Sequence, residues 1–311
     1  MNAPTYELII LGGGPAGTAA GVYAARKHLS TVLITQEFGG QSVVSPDIQN
    51  WIGTPHISGV DLAKSFEEHL REYAGSFLTI LKGKTAVRIE DDGTVIRVVL
   101  DSGKTIEGKT LLYALGASRR KLPAKGADKF EHKGLTYCAS CDGPLFAAKD
   151  VAVIGGGNAG FETAAQLAAY TTSVLLLEYG DAFRADPVTV EKVLANPKVR
   201  AHTNAEVIEV FGASVVEGIR WKEQTTGKEH TETVAGVFVE IGLIPNTQLV
   251  ADIVKRDERG AIEVDPWTGK TSHPRVWAAG DCTNVRYHQN NIAAGDGVKA
   301  LEDIYLALRA S

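Results

Sequence analysis

One motif occurs twice in this chain, and it limits the folds available more than any other feature. Leu8-Ile9-Ile10-Leu11-Gly12-Gly13-Gly14-Pro15-Ala16-Gly17 is echoed by Val151-Ala152-Val153-Ile154-Gly155-Gly156-Gly157-Asn158-Ala159-Gly160. Each copy is a short apolar run, then G-x-G-x-x-G, then an alanine-rich helical pattern over 16–28 or 159–170. A second apolar run follows each, at 31–35 and 173–177. A lone glycine fingerprint is a weak signal. Two of them, each framed as strand, turn, helix and strand, predict two dinucleotide sites. The physics is shared: the first glycine makes a tight turn, the second lets backbone N–H groups reach a pyrophosphate, and the third lets helix and strand pack closely. The helix N-terminus adds partial positive charge toward the anion.

The texture between and after the repeats differs. Residues 85–89, 94–100 and 105–113 alternate as strands do, with hairpin signals at Asp91-Asp92-Gly93 and Asp101-Ser102-Gly103. A similar meander spans 207–239, and a helical pattern over 291–308 closes the chain. The expected fold class is α/β, with two Rossmann-like domains, each a parallel sheet with helices plus a β-meander. Pro123 with Gly126, and Pro245 with Asn246, suggest the linkers. The expected layout is a first domain from 1–117 and 245–311 enclosing a second from 118–244.

Cys138-Ala139-Ser140-Cys141-Asp142 lies shortly ahead of the second fingerprint and uses two of only three cysteines. A C-x-x-C pair near a βαβ pattern reads as a dithiol that cycles with a disulfide. The same spacing also suits half of a zinc site or two unrelated core cysteines. A structural zinc site needs a second Cys/His pair, and none is evident. Asp142 suits proton transfer during exchange and equally suits a helix cap. The third cysteine, Cys282, is expected to be a small core residue. Net charge is −5 with no dense basic run, which argues against nucleic acid as a partner. No apolar run is long enough for a membrane span, and the first residues lack a signal-peptide pattern. With so few cysteines, the expectation is a reducing cytoplasm, where a disulfide is more often catalytic than structural.

The order of these motifs, ending in Ala278-Ala279-Gly280-Asp281, resembles the low-molecular-weight thioredoxin reductases over nearly the whole chain. It is more similar still to the C-terminal portion of the alkyl hydroperoxide reductase flavoprotein subunit, through Cys141-Asp142-Gly143-Pro144-Leu145-Phe146, Gly242-Leu243-Ile244-Pro245-Asn246-Thr247 and Gly280-Asp281-Cys282-Thr283. The resemblance implies FAD on the first fingerprint, held by Gly12, Gly14, Pro15, Ala16 and Gly17. It adds Gly40, Gln41, Asn50 and Gly116, with Gly280, Asp281, Gln289 and Asn290 beside the ribityl chain and the ring. Two departures are His288-Gln289-Asn290 for the usual Arg-Gln-Ala and Ala114-Leu115-Gly116 for Ala-Thr-Gly. A nicotinamide nucleotide is implied on Gly155, Gly157, Asn158, Ala159 and Gly160.

At the end of the second strand of the second repeat stands Glu178. An acid there bonds the ribose hydroxyls of NADH and repels a 2′-phosphate. The similar NADPH enzymes carry His-Arg-Arg-x-x-x-Arg at this place, where this chain has Glu178, Tyr179, Gly180 and Arg184. NADH is therefore expected over NADPH. By resemblance, Cys141 faces the flavin and Cys138 attacks a separate thioredoxin- or glutaredoxin-like protein. The two domains then swivel about hinges near 117–123 and 243–245. The amino-terminal thioredoxin-like region of the similar flavoprotein is expected to be absent, since the first fingerprint begins at Gly12. A homodimer is implied in the same way. Two other readings stay open: a disulfide reductase fed by ferredoxin or another donor, and a redox-sensing flavoprotein without turnover.

Overall fold

A computed structural model describes residues 5–45 and 47–310. The chain opens with β1 (Thr5–Gly13), α1 (Pro15–Arg26) and β2 (Thr31–Phe38). Pro15 starts the helix one residue earlier than its alanine pattern predicts, because a missing N–H costs nothing in a first turn. Next come α2 (Gly59–Ala74) and β3 (Leu78–Lys82). Ser58 caps α2, its hydroxyl accepting the Asp61 N–H at 3.0 Å. The meander follows as β4 (Ala86–Asp91), β5 (Ile96–Leu100) and β6 (Thr105–Tyr113).

A connecting strand, β7 (Ala117–Arg119), leads into the middle of the chain, which holds α3 (Ala127–Phe130), β8 (Leu135–Thr136) and the single turn α4 (Ala139–Asp142). The second repeat is β9 (Asp150–Ile154), α5 (Asn158–Ala168) and β10 (Ser173–Leu177). It continues through α6 (Pro187–Leu194), β11 (Val199–His202), β12 (Ala205–Phe211), β13 (Gly218–Glu223), β14 (Glu229–Thr233) and β15 (Gly236–Val239). The return passes through β16 (Leu243–Pro245), which pairs with β7, then β17 (Val276–Ala278) and α7 (Asn290–Ala310).

Two compact units result. The first comprises residues 1–46, 51–118 and 244–311, and the second 47–50 and 119–243. In the first unit a seven-stranded sheet runs β3-β2-β1-β6-β5-β4, with β17 also pairing β6. The meander thus extends the main sheet: β6 is parallel to β1 and antiparallel to β5. Strand β1 is buried on both faces, as parallel strands between layers are. Leu8 and Ile10 join the core under α1 and α7, while Ile9 and Leu11 join the core on the other face. Helix α1 needs small residues because α7 approaches it closely; a Cβ on Gly297 would strike the Ala16 carbonyl.

In the second unit, β11-β10-β9-β15-β8 form an all-parallel sheet, and β12-β13-β14 form a separate antiparallel one. Ala152 and Ile154 face one core and Val151 and Val153 the other. Among the described residues no helix is long and apolar enough to cross a membrane.

Candidate functional site

Both fingerprints make the turn that their glycines demand. Gly12 and Gly155 sit at φ +113° and +120°, a region that L side chains rarely adopt. A Cβ there would also strike the carbonyl of Ala114 or Glu240. The middle glycines behave differently. Gly14 and Gly157 cap α1 and α5, and nothing lies within 4 Å of where their Cβ atoms would stand. Neither helix has a side-chain cap or an acid in its first turn. No capping side chain thus covers the start of either helix, at the positive end of its dipole, a setting that fits a dinucleotide pyrophosphate.

In the first unit the expected flavin residues gather around the start of α1. Gly40, at φ +55°, lies against Gly14, and the Gly39 N–H bonds the Gly13 carbonyl at 2.9 Å. Gln41 donates through Nε2 to the Ala117 carbonyl, next to Gly116. The Asn246 backbone N–H reaches the Gly116 carbonyl at 3.0 Å. Gly280 packs on Ala16 and Ala293. Ser42 Oγ lies 2.8 Å from Asn290 Oδ1, and the Gln289 carbonyl accepts the Ala293 N–H at 2.9 Å in the first turn of α7. Asp281 is half-buried, its Oδ1 3.4 Å from His288 Nδ1. Asn50 falls in the short segment that groups with the second unit. The residues of the first unit fit FAD: Gly12 to Gly17 would hold its pyrophosphate, and Asp281 would offer an acceptor to a ribityl hydroxyl. Sequence reading passed over Glu37, at the end of β2. It stands about twenty residues past the fingerprint, where this fold places its ribose acid. The same spacing argument that singles out Glu178 would have found it.

The second unit carries the sulfur chemistry. A disulfide joins Cys138 to Cys141, with the Cα atoms 5.3 Å apart. Cys138 caps α4, and Asp142 ends it. Thr136 Oγ1 donates to Asp142 Oδ2, while Oδ1 is buried with no hydrogen-bond partner among the described residues. Burial pushes the Asp142 carboxyl above the ordinary aspartate range, opposed by the Thr136 bond and by the charges of His132 and Arg119. Such a carboxyl holds a proton more readily than a free aspartate, as a group that passes protons to and from a thiolate must. Gln166 on α5 donates to the Ala139 carbonyl at 3.2 Å, so the helix of the second fingerprint also holds the redox turn.

Glu178 projects from the end of β10 back onto that fingerprint. Its Oε2 accepts the Gly156 N–H at 2.5 Å and its Oε1 the Gly180 N–H at 2.7 Å. The carboxylate is thereby fixed beside the glycine turn of the second fingerprint. Arg184 lies nearby, its own N–H bonding the Gly156 carbonyl at 2.9 Å. Cys282 is fully buried in the first unit, its S–H directed at the Ala279 and Tyr113 carbonyls. Burial pushes its thiol up to about 12, which withholds the thiolate that exchange requires.

Comparison with known proteins agrees with this geometry. Residues 6–297 match the family described as pyridine nucleotide-disulphide oxidoreductase. An alkyl hydroperoxide reductase subunit of Xanthomonas campestris pv. phaseoli is 40% identical over 296 residues, covering 95% of this chain and 56% of that protein. A Bacillus subtilis protein named NADH dehydrogenase is 39% identical over 295 residues, covering 95% and 57%. The chain thus spans little more than half the length of these relatives. The crystal structure of thioredoxin reductase from Streptococcus pyogenes superposes with a TM-score of 0.89 at 32% identity, over 99% of both chains. The chain therefore belongs to the pyridine nucleotide-disulphide oxidoreductases and, within them, to the thioredoxin reductase-like flavoprotein disulfide oxidoreductases.

Proposed function

We propose that this protein passes electrons from NADH, in preference to NADPH, through FAD and the Cys138–Cys141 disulfide to a separate small protein of thioredoxin or glutaredoxin type. The observation that carries the donor assignment is the Glu178 carboxylate, pinned by two backbone N–H groups at the end of β10. A carboxylate there accepts from ribose hydroxyls and repels a 2′-phosphate. The name NADH dehydrogenase on a relative of similar identity is in keeping with this.

FAD, when bound, supplies the two-electron relay between a hydride donor and a disulfide. The chain's own residues do the rest. We assign Cys141 to the flavin side and Cys138 to attack on the partner disulfide. Asp142 gives and takes the proton as thiolates form and are quenched, with Thr136 orienting it. The disulfide and the second fingerprint share one unit, and the flavin residues other than Asn50 lie in the other. We assign the reorientation this requires to the connecting strands β7 and β16.

Cys138→Ser tests the sulfur assignment. The variant keeps NADH-driven flavin reduction in anaerobic stopped flow and loses reduction of small disulfide proteins. Retention of full disulfide reductase activity would end the proposal.

A further inference from the structure

The second unit holds a carboxyl group that the proposed chemistry does not use. Glu240 follows the last residue of β15, at the carboxyl end of that strand. Its backbone N–H bonds the Ile154 carbonyl at 2.7 Å, and a Cβ on Gly155 would strike its carbonyl, so it lies directly against the glycine turn. The sheet order β11-β10-β9-β15-β8 reverses direction between β9 and β15. Open α/β sheets bind their nucleotides in the crevice at that switch point, beyond the carboxyl ends of the strands. Glu178 stands on one side of the crevice, at the end of β10, and Glu240 on the other, at the end of β15.

Glu240 is half-buried at this strand end. Among the described residues its carboxyl receives one hydrogen bond, from Thr163 Oγ1 on α5 at 2.9 Å. Two charged groups face it. Arg119 on β7 favours its ionised form, but its Nη1 donates to the Tyr137 carbonyl and its charge also acts on Asp142. Glu162 on α5 opposes ionisation. Burial dominates and pushes the Glu240 carboxyl up to about 7. A half-buried acid whose hydrogen-bond donor is a neutral hydroxyl carries a desolvation cost that a cationic group beside it would offset.

We propose that Glu240 is a positioning residue for the nicotinamide end of the bound nucleotide, its ionised carboxylate favouring the oxidised ring over the reduced one. The physical basis is charge. The oxidised nicotinamide ring carries a positive charge that the reduced ring lacks. An anion at the β15 side of the crevice therefore discriminates between them, and only while it is ionised. Thr163 holds the carboxyl in place. The proposal rests on the reading that this crevice takes a nicotinamide nucleotide. It does not depend on which of the two nucleotides that is, because the ring is common to both.

The test is equilibrium binding to the oxidised holoenzyme by calorimetry at pH 6, 7 and 8. The ligands are NAD+ and its non-oxidisable tetrahydronicotinamide analogue, with the corresponding NADP pair alongside. In the native protein, the preference for the oxidised ring rises by about tenfold between pH 6 and 8, the scale of one partly screened charge contact. In Glu240→Gln the preference is flat with pH. Thr163→Val removes the hydrogen bond that favours the ionised form, so the rise moves to higher pH. A native preference constant with pH, or a slope that survives in Glu240→Gln, overturns the proposal. Tighter binding of the NADP pair overturns the Glu178 assignment alone. No binding of either pair overturns both.

Discussion

Glu178→Ala puts a number on the donor preference. Each carboxylate oxygen offers two acceptor positions. Gly156 and Gly180 occupy one on each oxygen, at 2.5 and 2.7 Å, which leaves the remaining positions for ribose hydroxyls. Losing one charge-assisted bond to the ribose costs about 1.5–3 kcal/mol. Removing the acid also relieves a 2′-phosphate of repulsion. Two phosphate charges about 5 Å from one carboxylate, in a water-like dielectric, amount to about 1.5 kcal/mol. The ratio of kcat/KM for NADH to that for NADPH should then fall by about 3–4.5 kcal/mol, or roughly two to three orders of magnitude. The repulsive part shrinks as salt is added, and the hydrogen-bond part does not. The assay is flavin reduction by each nucleotide at low and high ionic strength, with a melting curve to show that the turn at Gly180 survives. A native enzyme that prefers NADPH, or a ratio that moves less than about tenfold in the variant, refutes the reasoning.

Asp142→Asn should lower disulfide exchange by about 10²–10⁴-fold while leaving flavin reduction by NADH intact. Its stability should move the other way. Burial raises the native Asp142 carboxyl, so ionisation burdens the folded state at high pH and not below the ordinary aspartate value. The variant should therefore melt at or above the native protein at pH 8, and the two should converge by about pH 4. Gly155→Ala forces a side chain into φ +120° against the Glu240 carbonyl. It should cost about 1–3 kcal/mol and abolish nucleotide binding while flavin content is retained. Ser58→Ala removes the cap on the Asp61 N–H and should cost about 1 kcal/mol, seen as a lowered Tm with unchanged turnover.

The two βαβ repeats were legible because their signals are local: glycine spacing, an apolar run and an alanine-rich helix all lie within one window. The redox turn was legible for the same reason. What stayed hidden was set by distant pairing. Residues 105–113 read as the end of a hairpin meander, yet β6 sits beside β1 at the centre of the first sheet, with β17 on it. No local pattern reports that parallel register. Helix α2 was legible but passed over, through the Ser58 cap and the buried Leu62, Phe66 and Leu70 on one face. In the sequence Glu240 is one polar residue after an apolar run, and nothing local marks it. Only the sheet order shows that this strand end is the one beside the glycine turn.

The division of the first unit into separated stretches bears on how the protein is made. The ribosome releases β1, α1 and β6 long before β17 and α7, which complete the sheet beside β6 and pack on Ala16. All but four residues of the second unit form one unbroken stretch, so it is fully synthesised while the first still waits for its last strand and helix. Domains fold as units during synthesis, the earliest-completed first. Biosynthesis therefore finishes the unit with the Cys138–Cys141 disulfide first. If Asp281 and Asn290 hold the flavin as proposed, that site is completed only after the whole second unit has been made.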